Sequence, residues 1–305
     1  MTNLTRCISP FSLLSLCLAI LWFSTSARGA IIPDDDSLNM GGVLIGPCGV
    51  PGAMGPAGVN DDFTNRSLNT GIANVPPGGL TNAGGTVVFR NTVQNIGGGD
   101  DAFVISAPIV PAGFTIEISI DEGDHYVTLS PSVPCVTLPV GYRAAAIMLV
   151  RITAPAGLEI LTGFDTVIRA TSTATPAAAN DTVDRVYTSF IRFDKSATVV
   201  DANGIVSSAV ATPGAEIEFA ISYANVSSAS GIGNSLLTAH NLVISENGNA
   251  APNNWGETTV HMIGASDTQG GRIIGDATGS TSLTDIVSIL EAGQSGVFRF
   301  KRRVK

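Results

Sequence analysis

Charged residues are scarce in this chain of 305 residues. Asp, Glu, Lys and Arg together make up 13% of the sequence, which is about half of the share that is usual in globular proteins. Lysine is almost absent, and those that occur are Lys195, Lys301 and Lys305. The formal net charge is −9, and no basic stripe runs along the chain. Because an acidic surface repels the phosphate backbone, we do not expect nucleic acid as a partner.

Cysteine is also rare, with four in the chain. Cys7 and Cys17 lie before residue 30, and Cys48 and Cys135 lie after it. An even number of cysteines in an oxidising compartment predicts a disulfide between Cys48 and Cys135. Two free thiols or a metal site are the alternatives, but two cysteines without a neighbouring histidine are a poor ligand set for zinc.

Long apolar runs are missing after residue 30, and the single run before it is short. Residues 11–23 are largely apolar, Arg6 precedes them, and Ala27 and Gly29 occupy the −3 and −1 positions of a cleavage site. This order predicts a secretory signal peptide over residues 1–30, because the run is too short to cross a bilayer comfortably. An uncleaved membrane anchor is the alternative. The sequence therefore predicts an exported protein, secreted or held at the cell envelope, with no transmembrane segment in its mature part.

Residues 31–62 have the composition of a linker. They contain an acidic run at 34–36, followed by glycine at every third position from Gly46 to Gly58. This collagen-like stretch is too short to hold a triple helix. We therefore predict a flexible, extended Gly/Pro-rich spacer rather than a trimerising stalk.

The sequence from residue 80 onward lacks amphipathic helical periodicity and shows period-two alternation instead. Ile116, Ile118 and Ile120 alternate with polar residues, and turn-forming pairs such as Pro213-Gly214 separate the alternating segments. Many short strands at this spacing predict an all-β sandwich or barrel. The other strands are predicted at residues 87–94, 143–153, 164–174, 183–193, 215–226, 239–246, 283–289 and 296–304.

An internal repeat divides this β region. Residues 84–95 align with residues 214–225 at an offset of 130, and glycine, phenylalanine and asparagine match in register. Both copies end in a similar strand that follows a short turn containing glycine. We therefore predict two tandem immunoglobulin-like β-sandwich domains, over residues 63–192 and 193–305.

The two copies resemble a known family through an ordered set of motifs. The motifs of the second copy are Asp-Lys-Ser-Ala at 194–197, Pro-Gly at 213–214, an alternating strand at 218–225 and a closing segment at 288–295. They resemble the bacterial conserved-repeat "domain of unknown function eleven", and residues 91–97 and 110–114 of the first copy resemble it more loosely. The resemblance implies an immunoglobulin-like fold on envelope or secreted bacterial proteins, usually in tandem, with no catalytic residues.

Enzyme motifs are also lacking. The sequence has neither a Gly-x-Ser-x-Gly elbow nor a phosphate-binding Gly-Lys loop. Its histidines, His125, His240 and His261, are not spaced to place two metal ligands on one element. A hydrolase site assembled from scattered residues is an alternative, because catalytic triads are defined by geometry rather than by sequence order. We predict a protein without catalytic residues and without a required cofactor.

One acidic turn offers a candidate metal site. Asp121, Glu122 and Asp124 place three carboxylates close together in the sequence. Calcium takes six to eight oxygen ligands, and carboxylate-rich loops supply them in other proteins. The turn is therefore a candidate calcium site, and solvated turn acids are the alternative.

Three further features have both a structural and a functional interpretation. Trp255 lies in a predicted loop, where an exposed ring would stack on a sugar and a buried ring would anchor the loop. Lys195, at the start of the second domain, is a candidate for an isopeptide cross-link to Asn or Asp, or else an exposed lysine at a domain junction. The last strand, residues 297–305, carries a basic strip that either protects a sheet edge or meets an acidic patch of another molecule.

Taken together, these sequence features predict a secreted or envelope-associated protein with a non-catalytic structural or interaction role. Such a protein would bind a protein partner or a second copy of itself. The alternative is a carbohydrate-binding or adhesive module that uses the loops at the ends of the sandwiches. Retention by a sugar that is lost when Trp255 is replaced by alanine would distinguish the second role from the first.

Overall fold

The structure is a computed structural model, and it describes residues 42–68, 85–129, 136–158, 163–201, 206–207, 211–227, 230–250 and 254–305. These residues form eighteen β-strands and one four-residue helix, α1 (Trp255–Thr258). The prediction of an all-β protein is therefore confirmed. In the described residues no helix is long and apolar enough to cross a membrane, and the predicted signal peptide over residues 1–30 lies outside them.

The first ten strands form two five-stranded sheets. The order of the first sheet is β1 (Val43–Pro47), β3 (Gly85–Asn95), β8 (Ala145–Ala154), β5 (Thr115–Ser119) and β6 (Val127–Leu129). The order of the second sheet is β2 (Phe63–Ser67), β10 (Ala179–Tyr187), β9 (Phe164–Ser172), β4 (Asp101–Ile109) and β7 (Val136–Val140). Neighbouring strands are antiparallel in both sheets, except for the parallel pair of β2 and β10.

These two sheets pack face to face around one hydrophobic core. In β3 the side chains of Val87, Phe89 and Val93 are buried, as their period-two spacing predicts. Phe103 and Ile105 of β4 meet them from the other sheet. Burial of these apolar side chains is the main force that holds the sheets together.

The later strands form two further sheets around a second core. The order of the larger sheet is β12 (Val206–Ser207), β11 (Ile191–Val200), β13 (Glu216–Asn225), β18 (Ser295–Val304) and β15 (Thr259–Asp267). The order of the smaller sheet is β14 (Ala239–Asn247), β17 (Ser282–Leu290) and β16 (Arg272–Ile274). Tyr223, Phe298 and Phe300 of the larger sheet share a core with Leu242 and Val287 of the smaller one. The chain thus has two separate cores, each between two sheets.

The predicted linker over residues 31–62 is corrected, because its described part belongs to the first sandwich. Strand β1 lies within that range and pairs antiparallel with β3. Val43 and Ile45 point into the core, and the Ile45 amide donates a hydrogen bond to Asn180 Oδ1 at 2.8 Å. The glycines and prolines that follow form tight turns with backbone hydrogen bonds across them. Their spacing therefore reflects turns that return the chain to β2, not an extended spacer.

The predicted repeat places two asparagines at equivalent positions. Asn95 ends β3, and its Nδ2 donates to the Val140 carbonyl at 3.0 Å, just before the turn into β8. Asn225 ends β13, and its Nδ2 donates to the Leu290 carbonyl at 3.1 Å, just before the turn into β18. Both asparagines are buried, and each accepts a hydrogen bond from the amide two residues further on. The two asparagines therefore make equivalent contacts in the two sandwiches.

Candidate functional site

The acidic turn predicted as a calcium site lies between β5 and β6. Asp121 Oδ1 accepts a hydrogen bond from Ser119 Oγ at 2.6 Å, and Asp121 Oδ2 pairs with His125 Nδ1 at 2.6 Å. The bond from Ser119, followed by those from His125, holds the pKa of Asp121 well below its ordinary value. The described residues contain no group of three or more His, Cys, Asp or Glu side chains that could hold a metal ion. Calcium binding by Asp121, Glu122 and Asp124 stays a prediction.

Of the two interpretations of Trp255, the structure corrects the platform for a sugar ring and favours the buried anchor of a loop, because the residue is only 9% exposed. The residue opens α1, and the guanidinium carbon of Arg302 lies 3.7 Å from the centroid of its ring. Phe300 packs against it at a centroid distance of 6.3 Å. A cation and an aromatic neighbour therefore cover the ring, which anchors the loop before β15 instead of facing solvent.

Arg302, the cation of this contact, is itself fully buried. Its guanidinium donates to the Thr259 hydroxyl at 2.6 Å, to the Thr259 carbonyl at 3.2 Å and to the Ser280 carbonyl at 3.1 Å. Burial lowers the pKa of Arg302 to about 10. The stack of Trp255 on Arg302 therefore ties α1, β15 and β18 together.

His261, on β15 close to this stack, is paired with an acid that the sequence analysis did not single out. Its Nε2 lies 2.7 Å from Asp276 Oδ1, and the imidazole is fully buried. The Asp276 carboxylate also accepts the amides of Gly264 and Ala265 at the β-bulge of β15. Burial raises the pKa of Asp276, but the hydrogen bonds from His261 and the two amides outweigh it and lower the pKa. No local motif signals the pair, because fifteen residues separate its members.

A cavity of about 500 Å³ opens next to His261. Its lining residues are Val260, His261, Met262, Ile263, Thr278, Arg303, Val304 and Lys305. A histidine beside a carboxylate has the arrangement of two members of a catalytic triad. Within the described residues the third member is missing, because His261 Nδ1 has no hydrogen-bond partner there. In the described residues, His261 and Asp276 therefore form a pair and not a triad.

Lys195 lies on β11, at the start of the second sandwich. Its Nζ donates to Glu246 Oε2 at 2.5 Å and lies 5.3 Å from the ring centroid of Phe219. The lysine thus faces a glutamate, whereas an isopeptide cross-link, one of its two interpretations, requires Asn or Asp. Its contacts support an ion pair rather than a cross-link.

The basic strip of the last strand is paired within its own sheet. Arg303 lies 2.9 Å from a Glu216 oxygen across β13, and Arg299 lies 3.2 Å from a Glu218 oxygen. Lys301 lies 3.5 Å from the second oxygen of Glu218. Exposed pairs of this kind stabilise a fold by only ~0–1 kcal/mol. They offset only part of the positive charge, because Arg299 and Lys301 share one carboxylate and Lys305 donates to backbone carbonyls. Contact of the strip with an acidic patch of another molecule stays a prediction.

Cys48 follows β1 directly, in a turn where the Gly49 amide donates to Thr92 Oγ1 at 2.8 Å. Its predicted partner, Cys135, lies outside the described residues. The disulfide between them therefore stays a prediction.

A contact between the two sandwiches forms a site that the sequence analysis missed. Met54, in the turns before β2, and Ile232, between β13 and β14, exchange two backbone hydrogen bonds of 2.8 Å. Asn234 Oδ1 accepts the Phe63 amide at 2.9 Å and strengthens the contact. The exposed fractions of Val50, Met54 and Ile232 are 40%, 47% and 78%. We call these last three residues the junction patch.

The second sandwich reaches the junction patch through a loop that contains Gly231 and Gly233. Both glycines have positive φ, of 104° and 81°. A Cβ atom on Gly233 would lie 2.7 Å from Val50 Cγ1, so that only glycine permits this approach. Gly231 and Gly233 can be recognised in the sequence as turn-forming residues. The neighbouring sequence does not indicate which distant segment the turn contacts.

Comparisons with known proteins leave the family open. No family model matches the chain, and no curated protein matches it. The resemblance to the conserved-repeat family is therefore not confirmed.

Three solved structures show weak similarity. The C-terminal domain of the AgI/II polypeptide BspA of Streptococcus agalactiae is 9% identical over 87% of this chain and 92% of that one, with a TM-score of 0.31. The C-terminal domain of the Streptococcus pyogenes antigen I/II-family protein AspA is 7% identical over 87% and 91%, with a TM-score of 0.33. The secreted serine protease VesC from Vibrio cholerae is 10% identical over 78% and 45%, with a TM-score of 0.25. Scores this low do not define a shared fold, so these likenesses assign neither an adhesive nor a proteolytic role.

Proposed function

We propose that this chain is a secreted or envelope-associated, non-catalytic protein with a structural or interaction role, built from two tandem immunoglobulin-like sandwiches. The junction patch is the observation that carries the proposal. The two sandwiches meet there through backbone hydrogen bonds, and the joint exposes apolar side chains to which a protein partner or a second copy of the chain would bind.

The backbone of the junction patch is fixed by hydrogen bonds. Met54 and Ile232 are held by paired backbone bonds, and Ser235 exchanges two further bonds with Asn65 and Phe63. Apolar groups that are clustered and exposed on a fixed backbone are typical of interaction sites. Covering one such side chain completely contributes ~1.5–3 kcal/mol. A partner would therefore gain free energy without first ordering a loop.

The groups that could do chemistry are engaged inside the structure. His261 is paired with Asp276, and Lys195 is paired with a glutamate. Asp121 accepts hydrogen bonds from its own turn. These contacts engage His261 Nε2, Lys195 Nζ and the Asp121 carboxylate within the chain, which supports a non-catalytic role.

The test compares the purified chain with two variants in light scattering and negative-stain microscopy. Ile232→Asp places a charge in the junction patch, and the matched control Ile263→Asp changes an isoleucine that is 70% exposed elsewhere, on β15. We expect a defined oligomer or filaments for the unchanged chain and the control. For Ile232→Asp we expect association to be weaker by at least about tenfold. The contact loses the hydrophobic free energy of the isoleucine, and the carboxylate must be desolvated when the partner covers it.

Two results would contradict the proposal. One is a monomer that also binds no envelope protein in cross-linking of intact cells. The other is turnover of a substrate by the pure chain. A monomer that is retained on glycan beads would instead favour the carbohydrate-binding alternative.

A further inference from the structure

A buried group of oxygen atoms lies between the two sheets of the first sandwich. Asp184 of β10 and Asn91 of β3 face each other across the core, and each is 0% exposed. Asn91 Nδ2 donates to Asp184 Oδ2 at 2.9 Å. The other two oxygens, Asp184 Oδ1 and Asn91 Oδ1, have no hydrogen-bond partner among the described residues.

Two threonines flank Asp184 in the same row of side chains. Thr64 of β2 and Thr166 of β9 stand directly opposite Asp184 in the strand register. Side chains in such a row point to the same face of the sheet and lie roughly 5 Å apart. Both threonines are buried, and neither hydroxyl has a hydrogen-bond partner in the part of the chain that the structure describes.

A second carboxylate, that of Asp62, joins this group. Asp62 precedes β2 and is fully buried, and its Oδ2 accepts the Thr182 hydroxyl at 2.7 Å. Its Oδ1 has no partner within the described ranges. Burial raises the pKa of Asp184 to about 8, and the charge of Asp62 adds to that rise. We call Asp62, Thr64, Asn91, Thr166 and Asp184 the oxygen cluster.

Protons alone do not satisfy the oxygen cluster. Protonation would give Asp62 and Asp184 a hydrogen to donate, but the hydroxyls of Thr64 and Thr166 already carry one and still reach no acceptor. A buried polar atom without a partner destabilises the fold, and native structures contain few of them. The geometry therefore calls for a further species that contacts several of these oxygens at once.

We propose that the oxygen cluster binds one divalent cation of the calcium type between the two sheets. The positive charge of Arg66, an exposed residue of β2, acts on Asp184, and a single divalent ion would balance both buried carboxylates, Asp62 and Asp184. Calcium accepts carboxylate and amide oxygens in a sphere of six to eight ligands. The cluster supplies five oxygens that are unpartnered among the described residues, two from carboxylates and three from neutral side chains, and water would complete the sphere.

This site is distinct from the acidic turn at Asp121. Three of its five unpartnered oxygens belong to neutral side chains, whereas the candidate ligands of the turn are three carboxylates. Its ligands stand on β2, β3, β9 and β10 and before β2, and therefore come from both sheets of one sandwich. Binding would consequently stabilise the packing of the two sheets.

The test measures bound calcium per chain by equilibrium dialysis of the full chain at about pH 8, followed by elemental analysis. Asp184→Asn removes one charge of the oxygen cluster with little change of shape. Asp285→Asn makes the same change at a buried aspartate of the second core, and Asp121→Asn makes it at the turn. We expect one calcium ion per chain in the unchanged protein and both controls, and none in Asp184→Asn at the same free calcium concentration.

A further variant separates ligation from the effect of charge. Thr166→Val keeps both carboxylates and removes one neutral oxygen, so we expect calcium to bind about tenfold more weakly. Circular dichroism verifies that each variant is folded, and thermal unfolding with calcium or with a chelator gives a second readout. Calcium should raise the unfolding midpoint of the unchanged chain and leave that of Asp184→Asn where it is.

Three outcomes would overturn the proposal. Binding that survives Asp184→Asn would place calcium elsewhere, and binding lost in Asp121→Asn would place it at the turn. If the folded, unchanged chain binds no calcium at millimolar concentration, water and protonation of the carboxyl groups satisfy the oxygen cluster instead of a cation.

Discussion

Single residues show how polar groups are placed inside these sandwiches. Asp285 stands between the core residues Leu283 and Val287 on β17, where the period-two pattern places an apolar side chain. Burial, with the nearby charge of Asp267, raises the pKa of Asp285 to about 6. Asp184 has the same inward position on β10. Both sandwiches thus carry a buried acid on the inward face of a strand.

The buried acids of the first sandwich predict a dependence of stability on pH. We expect its free energy of unfolding to fall as the pH rises from about 5 to about 8.5 in the presence of a chelator. Burial raises the folded-state pKa of Asp62 to about 7 and that of Asp184 to about 8, above the ordinary value of 3.8. The folded state therefore holds protons that the unfolded state releases, and this contribution is present at low pH and lost as the pH rises through those values. Urea unfolding at several pH values measures it.

Asp184→Asn is the control for this pH dependence. It removes one of the two titrating groups, so its stability should change less over the same range. A free energy of unfolding that is flat or rising between these pH values in the unchanged chain would show that the acids are ionised in the folded state. Added calcium should oppose the fall, because the cation binds the ionised carboxylates.

At the scale of elements, β1 shows how composition and spacing can mislead. Its neighbours carry glycine at every third position, which suggested an extended spacer, yet the strand alternates Val43 and Ile45 toward the core. Two apolar residues in so short a segment are a weak signal beside a long run of Gly and Pro. Pairing with β3 and the bond from Ile45 to Asn180 decide its place, and both involve distant segments.

Ile45→Ala tests whether β1 belongs to the first sandwich. We expect it to lower the free energy of unfolding by about 2–4 kcal/mol, because it leaves a cavity in a packed core. The matched control Ile96→Ala changes an isoleucine that is 53% exposed, so it should have little effect. Urea unfolding measures both. Equal stabilities for the two variants would restore the linker interpretation.

The predicted strands were most accurate where alternation is strong and turns are marked. The predictions at 164–174, 215–226, 239–246 and 296–304 fall on β9, β13, β14 and β18. The prediction at 183–193 instead joins the end of β10 to the start of β11. No glycine or proline marks the short step between Tyr187 and Ile191, where the chain passes from one core to the next. The second core consequently begins slightly before the predicted boundary at 193.

At the scale of the whole molecule, the junction determines how the two sandwiches are held. Asn234 is central to it, because its Oδ1 accepts the Phe63 amide and its Nδ2 donates to the Ser230 carbonyl at 2.9 Å. One side chain thus connects the loop of the second sandwich to the start of β2. The exposed apolar residues on which the proposed interaction rests depend on this connection.

Asn234→Ala should loosen the junction without unfolding either sandwich. We expect faster hydrogen exchange at the Met54 and Ile232 amides and a larger radius of gyration in solution scattering, because the side-chain bonds across the joint are lost. Asn249→Ala is the matched control, since that asparagine is exposed and bonds to Thr281 within the second sandwich. Unchanged exchange at both amides would show that the backbone pair holds the joint by itself.

The sequence by itself determined the all-β class and the matching positions of Asn95 and Asn225, and it predicts two copies. These depend on alternation, turn chemistry and repetition. Such features are properties of short segments, so they can be recognised without knowing which strands pair. Only the tertiary structure decided the place of β1, the pairing of His261 with Asp276, the burial of Trp255 and the oxygen cluster. Each of these depends on contacts between segments that are distant in sequence, such as Asn91 and Asp184, which are 93 residues apart. Whether a polar atom is buried, and which atom it contacts across the core, depends on the segments that pack against it. The linear order of residues does not show which segments these are.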